Sequence, residues 1–154
     1  YETSASIFNE LNLKIDADKC TSLEELYLKS DVISIHTNLT AETTNLIDAK
    51  AFQKMKYKCP ILINTSRGEV INQYDLLEAL NNSYISSCGL DVTVPEPLAT
   101  NDPLLSHPGA IITPHIGSAT VKARKLMAER AATNIVESFS DHPKGHFIVN
   151  NCSN

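Results

Sequence analysis

The stretch from Pro60 to Asn72 reads Pro-Ile-Leu-Ile-Asn-Thr-Ser-Arg-Gly-Glu-Val-Ile-Asn, and it decides the fold. Its apolar, β-branched opening is short, begins at a proline and precedes a helical pattern, which is typical of a buried parallel strand. Arg67 follows the carboxyl end of this strand, the edge at which open α/β sheets bind ligands, and Gly68 allows a tight turn behind it. A guanidinium there can hold a planar carboxylate through two parallel hydrogen bonds.

Strand and helix patterns alternate along the rest of the chain. Ser22 begins a capping box, and Asp48, Asn72 and Ser118 are predicted to cap later helices. The alternation predicts an α/β fold with a mostly parallel sheet and helices on both faces. The predicted strands cover residues 13–15, 31–36, 60–64, 85–92 and 110–113, and the predicted helices cover 4–11, 22–28, a segment from 48 that stops before 60, a segment after 72, and 118–140.

The composition excludes several classes of protein. The chain has 154 residues, 42% hydrophobic and 20% charged, which is typical of one soluble globular domain. Its net charge of -5, without a dense run of Lys or Arg, argues against a nucleic-acid or acidic membrane surface. There is no apolar run of about 20 residues and no signal segment. The four cysteines are scattered, which favours reduced thiols and a cytoplasmic location over a zinc site or disulfide framework.

Three successive strands end in polar clusters. The first gives Arg67, the second gives Glu96 between two prolines that are expected to fix an extended loop, and the third gives His115 just before a helix cap. Parallel strands deliver their carboxyl ends to one edge of the sheet, so we expect an arginine, a carboxylate and a histidine to meet there.

This combination fits the reduction of a 2-oxo acid by a hydride cofactor. Arg67 would hold the substrate carboxylate, and His115 would supply the proton, because an imidazole ordinarily titrates near a pKa of about 6.5. Glu96 would stabilise the imidazolium and fix its tautomer. Asp91 is a candidate to accept a hydrogen bond from a nicotinamide carboxamide. The other candidate cofactor contacts are Leu39, Thr40, Thr65, Ser66 and Gly117.

Each of these residues also has a structural interpretation. A histidine after a strand is more often a hydrogen-bonded structural residue, a glutamate between prolines is usually solvated, and Asp91 can simply bond nearby backbone amides. The other four histidines are assigned no chemistry, and no pair has the short helical spacing of a zinc site, so no metal is predicted. The joint occurrence of Arg67, Glu96 and His115 on successive strand ends favours the catalytic interpretation.

Three motifs carry a family resemblance, namely residues 64–70 with their continuation to Gln73, residues 89–98 and residues 113–120. Through these motifs the chain resembles the D-isomer-specific 2-hydroxyacid dehydrogenases, and within them the glyoxylate and hydroxypyruvate reductases of animals. The resemblance implies a partial doubly wound, Rossmann-like domain in which Arg67 binds the substrate, His115 is the acid/base, Glu96 is its partner and Asp91 lies near the nicotinamide. It also implies NADPH as the preferred cofactor with NADH as the alternative, a small 2-oxo or 2-hydroxy acid substrate, and a homodimeric parent.

The chain also departs from the family pattern. Asn38 stands where the family commonly has a proline, and no Gly-x-Gly-x-x-Gly turn for the cofactor pyrophosphate occurs. The family's separate substrate domain has no counterpart in the sequence. We therefore expect residues 1–140 to be the C-terminal portion of a dinucleotide-binding domain, truncated at its N-terminal side, and residues 141–154 to be a tail leading back to the substrate domain. Such a chain alone is expected to be inactive, because positioning can be worth about 7–11 kcal/mol of barrier.

Two other interpretations stay open at this point. Dinucleotide-sensing corepressors resemble the same family, and a phosphoglycerate-type D-2-hydroxyacid dehydrogenase shares its chemistry. Formate oxidation is disfavoured because those enzymes have glutamine where this chain has Glu96.

Overall fold

The computed structural model describes residues 18–139. The predicted helix 4–11, the predicted strand 13–15 and the tail 141–154 lie outside these residues. The helices are Leu23–Lys29 (α1), Ala49–Met55 (α2), Gln73–Asn81 (α3) and Val121–Ser138 (α4). The strands are Val32–Ile35 (β1), Ile61–Asn64 (β2), Ser87–Leu90 (β3) and Ala110–Ile112 (β4). Two short 3-10 helices cover Gly68–Val70 and Pro103–Ser106.

Polar side chains begin the helices, as the sequence indicates. Ser22 accepts from the amide of Glu25, Asp48 from two amides of α2, and Asn72 from the amide of Asp75. The prediction for α4 was wrong by two residues, because the hydroxyl that accepts from the Ala123 amide belongs to Thr120 and not to Ser118. Residue 118 lies instead in the turn before the helix, where its carbonyl accepts from the Thr120 amide at 2.9 Å.

The four strands form one parallel sheet in the order β1-β2-β3-β4. In the register, Val32 lies opposite Ile61, Ile61 opposite Ser87, and Cys88 opposite Ala110. The predicted parallel sheet is confirmed. The carboxyl ends of all four strands lie along one edge, which is where the candidate residues follow.

Helices α1, α2 and α3 cover one face of the sheet. Helix α1 contacts α2 and α2 contacts α3, and their buried side chains join those of alternate strand residues in one core. On the other face Val32 is 54% exposed and Ile111 is 73% exposed. Right-handed crossovers that all advance in the same direction place α2 and α3 on the same side of the sheet. The expectation of helices on the other face as well is not decided by residues 18–139.

The core packs against one face of the sheet, and the carboxyl ends of the strands remain available for the candidate site. Its fully buried members include Phe52 and Met55 from α2, Leu62 from β2, Leu76 from α3 and Leu104 from the second 3-10 helix. Helix α4 has no buried residue. Among residues 18–139, none of the helices has the length and apolar character needed to cross a bilayer.

Candidate active site

The buried amide of Asn64 folds the turn that carries Arg67. Its Nδ2 donates to the carbonyl of Arg67 at 2.8 Å, while its Oδ1 accepts from the amide of Ser66 at 3.0 Å and from the hydroxyl of Ser66 at 2.8 Å. Asn64 is completely buried, so these bonds offset the cost of removing its amide from water. Asn64 has no role among the sequence-based predictions, although a polar residue at an inward-facing strand position is a usable signal.

The turn then packs closely against the loop after β3. A Cβ added to Gly68 would lie 2.3 Å from the carbonyl oxygen of Thr93 and 2.9 Å from Cγ2 of Val94. Glycine is therefore required for this close approach. The side chain of Arg67 is exposed, and its Nη1 donates to the carbonyl of Ser66 at 2.6 Å.

The loop after β3 turns back on itself. We expected prolines to hold it extended, but both Val94-Pro95 and Glu96-Pro97 are cis peptide bonds. The Glu96 carboxylate accepts from the amide of Thr93 at 3.1 Å, and the hydroxyl of Thr93 donates to the carbonyl of Pro95 at 2.9 Å. These bonds within the loop point the Glu96 carboxylate toward β4.

Glu96 and His115 form the central pair of the site. Nδ1 of His115 lies 2.9 Å from Oε2 of Glu96, and both side chains are partly exposed. The hydrogen bond from His115 is the main reason that the pKa of Glu96 falls below its ordinary value, and the positive charge of Arg67 also contributes. A carboxylate can only accept, so Nδ1 carries a proton and the other ring nitrogen, Nε2, is left without this partner. All three residues therefore lie at one edge, as expected.

Asp91 holds the backbone on which His115 sits. Its Oδ1 accepts from the hydroxyl of Thr113 and from the amide of Ile116 at 2.8 Å, and its Oδ2 accepts from the amide of Gly117 at 2.7 Å. Burial alone would raise the pKa of Asp91, but these three bonds outweigh it and lower that pKa. His115 has a φ of 53°, a left-handed conformation that needs such support in a residue other than glycine.

This arrangement matches the structural interpretation of Asp91, since both of its oxygens bond its own chain. The predicted contact of Asp91 with a nicotinamide stays a prediction. The amide of Gly117 is engaged by Asp91, and a Cβ at this position would lie 2.9 Å from Oδ2 of that residue. Gly117 therefore serves the geometry of the site, and its predicted cofactor contact is likewise untested.

The remaining candidate cofactor contacts lie on two adjacent loops. The loop after β1 joins the Arg67 turn through the amide of Asn45, which donates to the carbonyl of Glu69 at 2.8 Å. Leu39, Thr40 and Thr65 are exposed at this edge, and Ser66 is half-buried because its hydroxyl bonds Asn64.

Residues along this edge fit a nicotinamide dinucleotide in their chemistry. Leu39 and Ile116 present exposed apolar surface, at 40% and 50% exposure, on which a flat ring can pack. Thr37, at the end of β1, has a buried hydroxyl oxygen with no hydrogen-bond partner among residues 18–139. Within the same residues, no cluster of three or more His, Cys, Asp or Glu side chains is suited to a metal ion.

Comparison with known proteins identifies the relatives of this site. Residues 5–117 match the family model described as the D-isomer specific 2-hydroxyacid dehydrogenase, NAD binding domain. The human glyoxylate reductase/hydroxypyruvate reductase is 46% identical over 122 residues, which cover 79% of this chain and 37% of that protein. The glyoxylate reductase of Thermofilum pendens is 46% identical over 116 residues, which cover 75% of this chain and 34% of that protein.

A solved structure supports the same relationship. The D-isomer specific 2-hydroxyacid dehydrogenase of Xanthobacter autotrophicus Py2, in complex with NADPH and MES, superposes with a TM-score of 0.68 at 28% identity. The match covers 75% of this chain and 47% of that one. The chain spans about a third of the length of the two curated relatives described above.

Proposed function

Because this chain belongs to the D-isomer specific 2-hydroxyacid dehydrogenase family, we propose that it supplies the catalytic edge of an NAD(P)H-dependent reductase of small 2-oxo acids. The substrates we propose are glyoxylate and hydroxypyruvate, which the names of the human and other relatives include. The observation that carries the proposal is the 2.9 Å pair between His115 and Glu96, at the same sheet edge as Arg67.

The domain assignment is part of this proposal. We take residues 1–140 as the C-terminal portion of a dinucleotide-binding domain and residues 141–154 as a tail toward a separate substrate domain. The proposal is supported by the match of residues 5–117 to an NAD binding domain and by the small share of each relative that the chain covers. A homodimeric parent and a cytoplasmic location also stay predictions.

Arg67 would bind the substrate. Its guanidinium is exposed on a turn that is held by Asn64 and by the close packing of Gly68, so its backbone is fixed before a ligand arrives. A planar guanidinium can donate two parallel hydrogen bonds to a carboxylate, which both a 2-oxo acid and a 2-hydroxy acid possess. This contact would orient the neighbouring carbonyl toward His115.

His115 would donate the proton to the oxygen of the reduced carbonyl. Its Nδ1 is held by Glu96, so Nε2 is the nitrogen that can face a substrate oxygen. The hydrogen bond to Glu96 keeps the ring in this orientation, so that a proton carried by Nε2 can be delivered to the substrate oxygen. The dinucleotide, when bound, supplies the hydride. Leu39, Thr40, Thr65 and Ser66 would hold its nicotinamide end, and Asp91 would keep His115 in place.

NADPH is the cofactor that we propose as preferred, with NADH as the alternative. The support is the NADPH complex of the Xanthobacter relative and the resemblance to the glyoxylate and hydroxypyruvate reductases. Titration of the full-length protein with each dinucleotide, followed by the fluorescence of the reduced nicotinamide, measures this preference directly. Tighter binding of NADH would contradict it.

The catalytic roles are tested in the full-length protein with glyoxylate or hydroxypyruvate and NADPH. We expect His115→Asn to lower kcat by about 10²- to 10⁴-fold, which is the usual contribution of a general acid. We expect Arg67→Lys mainly to raise KM for the oxo acid, because lysine loses the two-pronged geometry. His107→Asn is the matched control, since Nδ1 of His107 accepts from the amide of Gly109 and His107 has no role in the proposed site.

Two outcomes would overturn the proposal. Full activity of His115→Asn would remove the assigned acid, and a full-length protein that binds NADH but reduces no 2-oxo acid would favour a dinucleotide-sensing role. Residues 1–154 alone are expected to show negligible turnover, so robust activity of that chain would contradict the domain assignment.

A further inference from the structure

Gln73, the first residue of α3, bridges two points of the loop between β3 and β4. Its Oε1 accepts from the amide of Val94 at 2.9 Å, and its Nε2 donates to Oδ2 of Asp102 at 3.3 Å. The second oxygen of Asp102 accepts from the amide of Leu104, a residue that is buried in the core. A single side chain thus ties the segment that contains Glu96 to α3 and, through Asp102, to the core.

These contacts are not explained by helix capping. The cap of α3 is Asn72, whose Oδ1 accepts from the amide of Asp75, so the helix has a capping side chain without Gln73. Both hydrogen bonds of Gln73 instead reach residues 21 and 29 positions away in sequence. An amide side chain is well suited to this position, because it can accept from Val94 and donate to Asp102 at once.

The held segment leads directly to the catalytic pair. Val94 and Glu96 are both exposed and lie two residues apart, and Cγ2 of Val94 also lies close to Gly68. The amide of the preceding residue, Thr93, donates to the Glu96 carboxylate. A shift of Val94 would therefore move the carboxylate that holds Nδ1 of His115.

We propose that Gln73 is a positioning residue that fixes Glu96 and, through it, the ring orientation and Nδ1–H tautomer of His115. The inference rests on the proposed function for its catalytic meaning, but the geometry it asserts can be measured without turnover. Its failure and the failure of the proposed function are therefore distinguishable. In the sequence, Gln73 is only the last residue of the motif Val70-Ile71-Asn72-Gln73, and no role is predicted for it.

The test is ¹⁵N NMR of the histidine side chains in residues 1–154, recorded on the alkaline plateau of their pH titration, where every ring is neutral. The resonances of His115 are identified by their loss in His115→Gln. In the unchanged chain we expect the Nδ1–H tautomer. In Gln73→Ala we expect a shift toward the Nε2–H tautomer, and an increase of roughly five- to tenfold in the exchange rate of the Val94 amide, the factor that one ordinary hydrogen bond represents.

Paired substitutions separate positioning from general damage. Gln73→Glu keeps an acceptor for Val94 but places a carboxylate against Asp102, so an intermediate tautomer ratio is expected. Adding Asp102→Asn restores a donor and acceptor pair with its direction reversed, and it should return the His115 signals toward those of the unchanged chain. Tyr74→Ala, at the neighbouring helical position that is 72% exposed, is the control and should change neither readout.

The proposal would be overturned if Gln73→Ala left the His115 tautomer unchanged, or if Tyr74→Ala altered it equally. If Gln73→Ala does not fold, the comparison between Gln73→Glu and the Gln73→Glu, Asp102→Asn pair decides the matter. Absence of rescue in the pair would then count against the bridge.

Discussion

Replacing Gly68 with alanine tests the close contact that joins the Arg67 turn to the loop after β3. The new Cβ would lie 2.3 Å from the carbonyl oxygen of Thr93, whereas real Cβ atoms essentially never come within 3.0 Å of another atom. The two backbone segments must therefore separate by about 0.7 Å, the difference between these distances. Gly68 is buried and the nearest atoms belong to backbone, so the strain cannot be relieved by a side-chain rotation.

We expect Gly68→Ala to lower the free energy of unfolding by about 1–3 kcal/mol, the usual cost of overpacking a buried site. The measurement is urea unfolding of residues 1–154, followed by far-UV circular dichroism. The matched control is Gly89→Ala. No heavy atom lies within 4 Å of the added Cβ there, and no glycine in the described residues has a positive φ.

The control should be neutral or stabilising by up to about 1 kcal/mol, because alanine restricts the unfolded chain. The two variants make the same chemical change, so they differ only in the space available. A Gly68→Ala variant as stable as Gly89→Ala would refute the argument, since it would show that the two loops do not pack as described.

Three further changes test other parts of the structure. Asp91→Asn should lower the free energy of unfolding by about 1–3 kcal/mol, because an amide cannot accept from all three donors. The pKa of Asp91 in the folded state is below its ordinary 3.8, so its stabilising effect is complete above pH 3.8 and is lost as the pH falls through the lowered pKa. Acid titration of the Asp91→Asn variant should not show this loss. Leu62→Ala should lower the free energy of unfolding by about 2–5 kcal/mol, because this side chain is fully buried. Ile111→Thr, on the exposed sheet face, should change it by less than about 0.5 kcal/mol. Equal effects of the two substitutions in urea unfolding would contradict a core on one face of the sheet. Lys54→Met removes an ion pair with Glu24 in which both side chains are about half exposed, so the expected change in thermal unfolding is below about 1 kcal/mol.

The sequence predicts the elements well because each has a local physical signal. Ser22, Asp48 and Asn72 begin helices through a hydrogen bond to an amide only two or three residues away. The apolar run before Asn64 likewise predicts a buried strand from local sequence alone. The cap of α4 was misplaced because Ser118 and Thr120 are chemically similar, and the turn that separates them depends on contacts beyond the local sequence.

The chemically important residues of the candidate site were predictable from the sequence, whereas the residues that hold them in place were not. Arg67, Glu96 and His115 are visible because each follows a predicted strand, and parallel strands end at one edge. The residues that hold them, Asn64 and Gln73, bond atoms whose positions depend on how the loops fold. The placement of α2 and α3 on the same face was also not predicted, because the order of strands in a sheet is not written in any single strand.

The bonding of Asp91 affects how variants of this protein should be interpreted. The Asp91 carboxylate has three of its roughly four acceptor sites taken by neighbouring hydroxyl and amide groups, which leaves about one for an outside molecule. Its removal would nevertheless displace the imidazole two residues beyond Thr113 and so depress turnover. A mutational scan would then place Asp91 among the catalytic residues, although it acts by holding the backbone around His115. Only spectroscopy without ligand would distinguish this structural role from a catalytic one.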